Sequence, residues 1–432
     1  MKTTGMFQAP HRVALIRVGV LGLAIAGLSA CGGNSGSSND SAADASAQAN
    51  AALVAEGQQT FRFDTFGDEA KWTDTLHMEQ VVSTVSPATA LSVGLKVDSE
   101  ALPQSVVDAI SAGQVDLNDP AVTIALLKLN AVIGVKGTVE SVNGKDTLTR
   151  VGFTCALCHS TVDNSFTKGI GKRLDGWPNH DLDVGLIVSL SPNLQPIAEA
   201  LGTDVASVKT VLTGWGPGKY DPRLNFDGKN GPQVIPPAYG LAGIHSITTT
   251  GDGTDIAYWN RYVAVTQMGG IGTFDEPRTA VHVDTTNGGK LPDLVTSKLA
   301  GLQAYQLSLA APTPPAGSFD SAAAARGQTL FAGVGCASCH SGPEFTDANT
   351  RLHPVSDSMG EPEAPGVPSY ASRSATKQYR TAPLKGVWQH APYFHNGSAA
   401  TLDDVVGRYN TRMALGLTPS QMADLVQYLK SL

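Results

Sequence analysis

The chain has 432 residues, of which 42% are hydrophobic and 16% are charged, and its formal net charge is −8 at pH 7. This is the composition of an ordinary globular protein, and the negative charge without an aromatic and basic stripe argues against nucleic-acid binding. The same charge would suit a basic redox partner. About 400 residues follow the N-terminal segment described next, which predicts two or three domains.

The N-terminus has the pattern of an export signal followed by a lipid-attachment site. Basic residues precede the short apolar run "VGVLGLAIAGLSA", which ends at Cys31. Such a run, too short to span a bilayer, is typical of a secretory signal. "LSAC" resembles the bacterial lipobox, in which the signal is cut before a cysteine that is then acylated; an incidental cysteine is the alternative. We therefore expect a signal peptide at 1–30, a flexible polar tether at 31–50, and a periplasmic or cell-surface protein anchored to a bacterial membrane.

The next segment contains a helical pattern and a large insertion. "GQQTF" at 57–61 has the same Gly and Phe spacing as "GQTLF" at 327–331. In the later copy a cysteine pair begins five residues after the Phe, whereas in the earlier copy it begins only at Cys155. We therefore predict an insertion at 62–154, with a helix at "VVDAISAG" and a helix or buried strand at "AVTIALLKLNAVIGV". The chain after residue 159 is rich in Gly, Pro and Asp and is expected to be mostly loop.

Four of the five cysteines lie in two copies of the pattern C-x-x-C-H, "CALCH" and "CASCH". Thiols three residues apart on a helical turn face the same way, so each can form a thioether to one haem vinyl group while the following histidine binds the iron. Zinc shared between the pairs is the alternative, but it does not explain the two histidines. The sequence therefore predicts two haem c groups, attached by Cys155, Cys158, Cys336 and Cys339, with His159 and His340 as axial iron ligands.

The region around the second pair is predicted to be a C-terminal cytochrome c domain. A Pro-rich linker at 311–318 precedes a helix that Asp320 or Ser321 can cap. The last helix begins at Thr418 with a capping-box-like pattern and carries an apolar stripe at helical spacing. A first helix packed on a last helix, with the haem between them, is the cytochrome c plan.

These observations predict a mainly α fold with two cytochrome c-like haem domains. The N-terminal haem domain is expected at 51–310, with the large insertion and long loops, and the C-terminal cytochrome c domain at 319–432. For the first haem, Met268 in "TQMGGIG" is the favoured sixth ligand, because the glycines allow close backbone approach. His180 and His245 are the alternatives.

The segment "YRTAPLKGVWQHAPYFHNGSAATLDDVVGRYN" at 379–410 strongly resembles the C-terminal domain of bacterial di-haem cytochrome c peroxidases and of the related methylamine-utilisation di-haem enzyme. The resemblance is close over 322–432 and faint before it. It implies a mostly helical enzyme in which one haem takes up electrons at high potential and the other meets hydrogen peroxide or oxygen. It also places His395 near a haem edge and implies calcium between the domains, for which the loop at 221–230 is the candidate.

The chain departs from the peroxidase pattern in its insertion and at two motifs. The nearest match to the F-W-D-G-R stretch of those peroxidases is "AYWNRY" at 257–262. The peroxidases have a Met ligand fourteen residues after the His of P-Y-x-H-[DN]-G, and counting from His395 gives Tyr409. The methylamine-utilisation enzyme has a Tyr ligand there. The sixth ligand of the second haem remains open among Met359, Met413, Tyr409 and His353.

The sequence therefore predicts an exported di-haem c-type cytochrome of the peroxidase-like superfamily. As an oxidoreductase it would pass electrons between two covalently bound haems, with hydrogen peroxide as the candidate oxidant. The alternative is a pure electron-transfer cytochrome with both haems six-coordinate. The expected partners are a small redox protein or a quinol-linked electron donor, and the membrane surface through the lipid anchor on Cys31, with no nucleic acid.

Overall fold

The fold combines short helices with long loops and small sheets. The computed structural model describes residues 37–363 and 366–432, and it is 42% helical and 12% strand. The fold is therefore mixed, and the expectation of a mainly α protein holds only in part. Residues 48–432 form one compact unit, so the expected division at 311–318 stays a prediction. The expected signal peptide and Cys31 lie outside the described residues.

We call the residues up to 310 the N-terminal half and residues 319–432 the C-terminal half. The α-helices of the N-terminal half are α1 (Ser37–Phe63), α2 (Met78–Val82), α3 (Pro87–Ser92), α4 (Gln104–Ser111), α5 (Pro120–Lys128), α6 (Ala156–His159), α7 (Val184–Ser189), α8 (Gln195–Leu201), α9 (Val205–Thr213), α10 (Leu224–Asp227), α11 (Ile256–Tyr262) and α12 (Leu299–Ser308). Those of the C-terminal half are α13 (Ser321–Gly333), α14 (Leu402–Arg412) and α15 (Pro419–Lys430). In the described part of the chain, no helix is long and apolar enough to span a membrane.

Among the described residues, the strands pair two by two, and all of them lie in the N-terminal half. They are β1 (Val97–Asp98), β2 (Val135–Val142), β3 (Lys145–Phe153), β4 (Ser160–Val162), β5 (Ile170–Gly171), β6 (Arg173–Asp175), β7 (Lys219–Tyr220), β8 (Gln233–Val234), β9 (Thr273–Glu276) and β10 (Val281–Asp284). The β1–β5 pair is parallel, and the pairs β2–β3, β4–β6, β7–β8 and β9–β10 are antiparallel.

The predicted insertion supplies most of one hydrophobic cluster, to which Ile170 from outside the insertion also belongs. Its helix α4 lies where "VVDAISAG" predicted one. The ambiguous segment "AVTIALLKLNAVIGV" divides, because α5 ends at Lys128 and the hairpin β2–β3 begins at Val135. Between them Asn130 has φ 53°, a left-handed conformation that Asn tolerates better than most residues and that stops the helix. Leu76, Leu127 and Val151 are each about 1% exposed or less and join these elements in one cluster.

The expected tether is partly helical. Helix α1 begins at Ser37, so residues 37–50 of the predicted flexible segment belong to a helix. This part of the sequence, "SSNDSAADASAQAN", is rich in alanine, the strongest helix former.

The same helix crossing occurs in both halves. Helix α1 crosses α12 where an added Cβ at Gly57 would lie 1.8 Å from Gly301 O, and α13 crosses α15 where a Cβ at Gly327 would lie 2.1 Å from Asp424 O. One turn later each first helix places a buried phenylalanine edge-on against a tyrosine of the last helix. The ring centroids are 5.5 Å apart for Phe61 and Tyr305 and 5.2 Å apart for Phe331 and Tyr428. The repeated Gly and Phe spacing in the sequence therefore has a repeated packing role.

The predicted helix starts of the C-terminal half are confirmed. Asp320 caps α13, with its carboxylate accepting from the backbone N–H groups of Ala322 and Ala323. Thr418 and Gln421 form a complete capping box at α15, with Pro419 in the first turn. Each cap satisfies N–H groups that have no partner within the helix.

Gly327→Ala is expected to destabilise the protein by about 1–3 kcal/mol, because the new methyl group would overlap the Asp424 carbonyl and push α13 away from α15. Gly333→Ala, in the same helix, is the matched control. Its Cβ would meet nothing within 4 Å, so stability should be unchanged or raised by up to about 1 kcal/mol. Chemical denaturation followed by circular dichroism measures both. Equal effects of the two substitutions would contradict the proposed close approach.

Candidate haem sites

The first cysteine pair lies in a helical turn that neighbouring loops hold in place. Cys155 precedes α6, and both its thiol and that of Cys158 are free. The loop that follows β6 covers this turn: the N–H of Gly176 donates to His159 O at 2.8 Å, and the N–H of Asn179 donates to Cys158 O at 2.9 Å. Two reduced thiols on one turn are the arrangement that thioether attachment requires.

His159 is oriented as a metal ligand. Its Nδ1 lies 3.1 Å from Pro236 O, to which it can donate a hydrogen bond, so Nε2 is left to bind a metal. Burial lowers the pKa of His159 to about 4, which keeps the ring neutral at pH 7. A ligating histidine usually donates its other ring N–H to such a carbonyl, and the neutral ring is the form that binds a metal.

A cavity of about 650 Å³ adjoins this turn. Cys155, Cys158 and His159 form part of its wall, and most of the rest is apolar. This volume is within the range of cofactor pockets, which are mostly apolar with a few placed polar groups. The residues present therefore fit a haem attached through the two cysteines.

Met268 lies in the same cavity wall and is 8% exposed. It ends a π-helical turn at Val263–Met268 that continues α11, and it belongs to the same apolar cluster as Cys155 and Trp259. The following Gly269 has φ 87°, and an added Cβ there would lie 2.5 Å from Lys71 Cδ, so this position needs a glycine. Gly269 thus allows Lys71 to approach the backbone closely, and the role of these glycines beside a haem stays a prediction.

The alternative ligands for the first site are placed differently. His180 has Nδ1 2.6 Å from Ala391 O and Nε2 2.9 Å from Ile235 O, so carbonyl groups occupy both ring nitrogens. His245 is exposed, and its backbone N–H donates to Asn349. Neither is part of the cavity wall. Met268 is therefore the one of the three that the structure brings to the first cysteine pair.

Several polar residues of the cavity wall were not found from the sequence. Lys71 Nζ donates to Gln267 O at 2.5 Å, and burial lowers the pKa of Lys71 to about 8. The Tyr220 hydroxyl donates to the Gln267 side chain, and burial raises the pKa of Tyr220. Arg380, from the C-terminal half, also lines the cavity. Lys71 and Tyr220 lie outside the motifs of the sequence, and Arg380 lies in the peroxidase-like segment at 379–410, which does not itself indicate a place beside the first cysteine pair.

The second cysteine pair repeats the first arrangement. Cys336 begins a 3₁₀ turn at Cys336–Ser338, and the thiols of Cys336 and Cys339 are free. His340 Nδ1 lies 3.2 Å from Phe345 O and 3.1 Å from Ala382 O, so its Nε2 is again left for a metal. Burial lowers the pKa of His340, as at the first site. These residues also fit an attached haem.

The candidate sixth ligands of the second site are not equivalent. Burial raises the pKa of Tyr409 to about 12, and the nearby Cys336 and Cys339 thiols contribute, which places its hydroxyl in their neighbourhood. Met413 is 53% exposed at the end of α14. Met359 is half-buried, and its carbonyl accepts from Arg408. His353 Nε2 lies 3.1 Å from an Asp347 carboxylate oxygen, which occupies that ring nitrogen.

His395, expected near a haem edge, lies in a buried polar cluster. Its Nε2 is 2.7 Å from Glu363 Oε1, and its ring stacks on Tyr379 at 4.6 Å. The Tyr379 hydroxyl also donates to Glu361 at 2.8 Å. In the structure, the partner of His395 is therefore a carboxylate of the protein.

The loop at 221–230, the calcium candidate, is held by a guanidinium. Asp221 accepts two hydrogen bonds from Arg373, at 3.0 and 3.1 Å, and Asp227 accepts two more, at 2.7 and 2.9 Å. The Arg373 side chain is 2% exposed, so this is a buried ion pair between the two halves of the chain. A cation of the protein thus binds both carboxylates of the loop that the resemblance made the calcium candidate.

Two C-x-x-C-H turns with free thiols, each with a histidine whose Nδ1 faces a carbonyl, define a c-type cytochrome. A family model described as "RoxA-like, cytochrome c-like" matches residues 378–415. A cytochrome-c peroxidase of Denitromonas iodatirespirans is 30% identical over 158 residues, which are 26% of this chain and 40% of that protein. The cytochrome c551 peroxidase of Pseudomonas aeruginosa is 28% identical over 147 residues, which are 30% of this chain and 42% of that protein.

These similarities support a relationship with the superfamily of di-haem cytochrome c peroxidases. Among solved structures, a MauG-like protein associated with microbial copper homeostasis aligns with 46% of this chain and 73% of that chain, at 20% identity and a TM-score of 0.33. The chain spans less than half the length of the two curated relatives, at 40% and 42%.

Proposed function

We propose that this chain is a di-haem oxidoreductase that carries electrons between two covalently bound haems and delivers them to hydrogen peroxide. The observation that carries the proposal is the cavity of about 650 Å³ that has the first cysteine pair and His159 in its wall. The similarity to cytochrome c peroxidases supports the reaction class. Two haems, when bound, supply two one-electron redox centres, the number that reduction of peroxide to water requires.

The residues of the chain would hold, orient and enclose these groups. The thiols of each pair fix one haem each, and the carbonyls of Pro236 and Ala382 fix the orientation of His159 and His340. The apolar wall of the first cavity excludes water, which strengthens every charge interaction inside it. Lys71 is a titratable group of that wall and could hold a proton for the oxidant, because burial lowers its pKa to about 8, which lies near neutral pH.

Pure electron transfer is the second candidate function, and the position of Met268 favours it. If a haem is attached at the first cysteine pair, Met268 would be placed to supply a thioether to its iron, and an iron with no open position would transfer electrons without binding peroxide. The two functions therefore differ in whether one iron has an open sixth position.

Spectra of the purified protein in each redox state distinguish the two functions. We expect at least one haem to be high-spin, or to become so after partial reduction, to bind cyanide rapidly, and to support peroxide consumption with a reduced donor. Two haems that stay low-spin in every redox state and react with neither cyanide nor peroxide would establish the electron carrier instead.

We also propose that the protein is exported and anchored to a bacterial membrane through Cys31, where a small redox protein or a quinol-linked donor supplies its electrons. The support is the N-terminal sequence alone. Cys31→Ser is expected to move the protein from the membrane fraction to the soluble fraction, or to leave it uncleaved, because no acyl chain can then be attached. An unchanged distribution after cell fractionation would exclude the lipid anchor.

A further inference from the structure

Arg380 is a charged residue from the C-terminal half in the wall of the first cavity. It and Tyr370 are the lining residues that the C-terminal half contributes. Among the described residues, no carboxylate lies within ion-pair distance of its guanidinium. Burial lowers the pKa of Arg380 to about 10, so the group remains charged at pH 7. A partly buried charge without a carboxylate partner is unusual, because charges removed from water in proteins are normally paired.

The guanidinium is held in position by the N-terminal half. The backbone N–H of Arg380 donates to Thr249 O at 2.9 Å, and Nη1 donates to Ser246 O at 2.9 Å. Thr248 and Thr249, in the same loop, line the cavity. An arginine has five N–H donors in a planar fork, and Ser246 O is the one acceptor that the described residues provide for this side chain. The remaining donors are thus pre-positioned for an anion.

A carboxylate suits this fork best, because two parallel N–H groups match its two oxygens. Haem carries two such carboxylates, its propionates, and the cavity is where the first haem would be attached. The other source of the same chemistry is a free carboxylate or phosphate from solution.

We propose that Arg380 binds a propionate of the haem held by Cys155 and Cys158, so that the C-terminal half completes the first haem site. This inference rests on the proposed di-haem function. Arg380 is a positioning residue: its charge neutralises the propionate and favours the reduced iron, which carries one positive charge less than the oxidised iron.

The test uses the full-length holoprotein and measures the midpoint potential of each haem. Arg380→Gln is expected to keep two covalent haems per chain and to shift the redox equilibrium of one haem about tenfold toward the oxidised form, which is 59 mV for a one-electron couple. Arg380→Lys should shift it less, because it keeps the charge and loses the fork. Lys377→Gln, an exposed lysine three residues away, is the control and should shift neither haem by more than twofold.

Different results would contradict the role of Arg380 and the presence of a haem at the first cysteine pair. A chain that keeps all its covalent haem after Cys155→Ala and Cys158→Ala would refute the haem site itself. Two haems with potentials unchanged in Arg380→Gln would overturn only the role of Arg380. If Arg380→Gln does not fold, Arg380→Lys is measured instead. Haem potentials in Arg380→Lys that equal those of the wild type would then overturn the role of Arg380. Potentials of the wild type that change when acetate or phosphate is removed by dialysis would identify a mobile anion instead of the propionate.

Discussion

Replacing Cys336 and Cys339 together with alanine is expected to remove about half of the covalently bound haem. Both thiols are free and lie on one 3₁₀ turn directly before His340, and His340 Nδ1 faces two backbone carbonyls. A haem that has lost both thioether bonds would depend on the iron ligand alone. Haem staining after denaturing electrophoresis measures the remaining signal against the wild type.

The first cysteine pair provides the matched variant. Cys155→Ala with Cys158→Ala should remove the other half of the stain, and all four substitutions together should remove all of it. A signal that disappears from the wild type in acid acetone, or a stain that either double substitution leaves at full strength, would contradict covalent attachment at that pair.

Met268→Ala is expected to change the spectrum of the first haem and to leave that of the second unchanged. Besides Cys155 and Cys158, Met268 is the residue of the described cavity wall that carries a sulfur atom, and a thioether sulfur can bind haem iron. A thioether ligand raises the reduction potential of a haem, so its removal should lower the potential of that haem. It should also open the sixth position and accelerate cyanide binding by about tenfold or more, which stopped-flow absorbance measures.

Met78→Ala is the matched control for this experiment. Met78 is a buried methionine of the N-terminal half, 1% exposed, and it lies outside the wall of the first cavity. Its truncation should lower stability, as any large-to-small change in a core does, without altering either haem spectrum. Identical spectra and cyanide rates in Met268→Ala and the wild type would refute Met268 as a ligand.

The sequence could predict those parts of the fold that depend on residues close together in the chain. The C-x-x-C-H turns need only neighbouring residues, and so do the caps at Asp320 and Thr418. The spacing of Gly327 and Phe331 also marked a helix that packs closely on another. In each case the chemistry lies within one or two helical turns.

The walls of the first site could not be predicted, because they depend on contacts between distant segments. Lys71 lies in the insertion and Arg380 in the peroxidase-like segment of the C-terminal half, and neither local sequence indicates that the residue lies beside the first cysteine pair. The acidic loop at 221–230 was likewise predicted as a metal site, whereas in the structure its Asp221 forms an ion pair with Arg373 of the C-terminal half. The sequence around a residue does not indicate which distant residue will pair with it in the fold.

The mass of the intact wild-type chain under denaturing conditions, with its metal content, tests the central claim most directly. The account predicts a polypeptide that carries the mass of two haems after unfolding, with two irons per chain and no zinc. A polypeptide without added mass, or one zinc per chain shared between the two cysteine pairs, would contradict it.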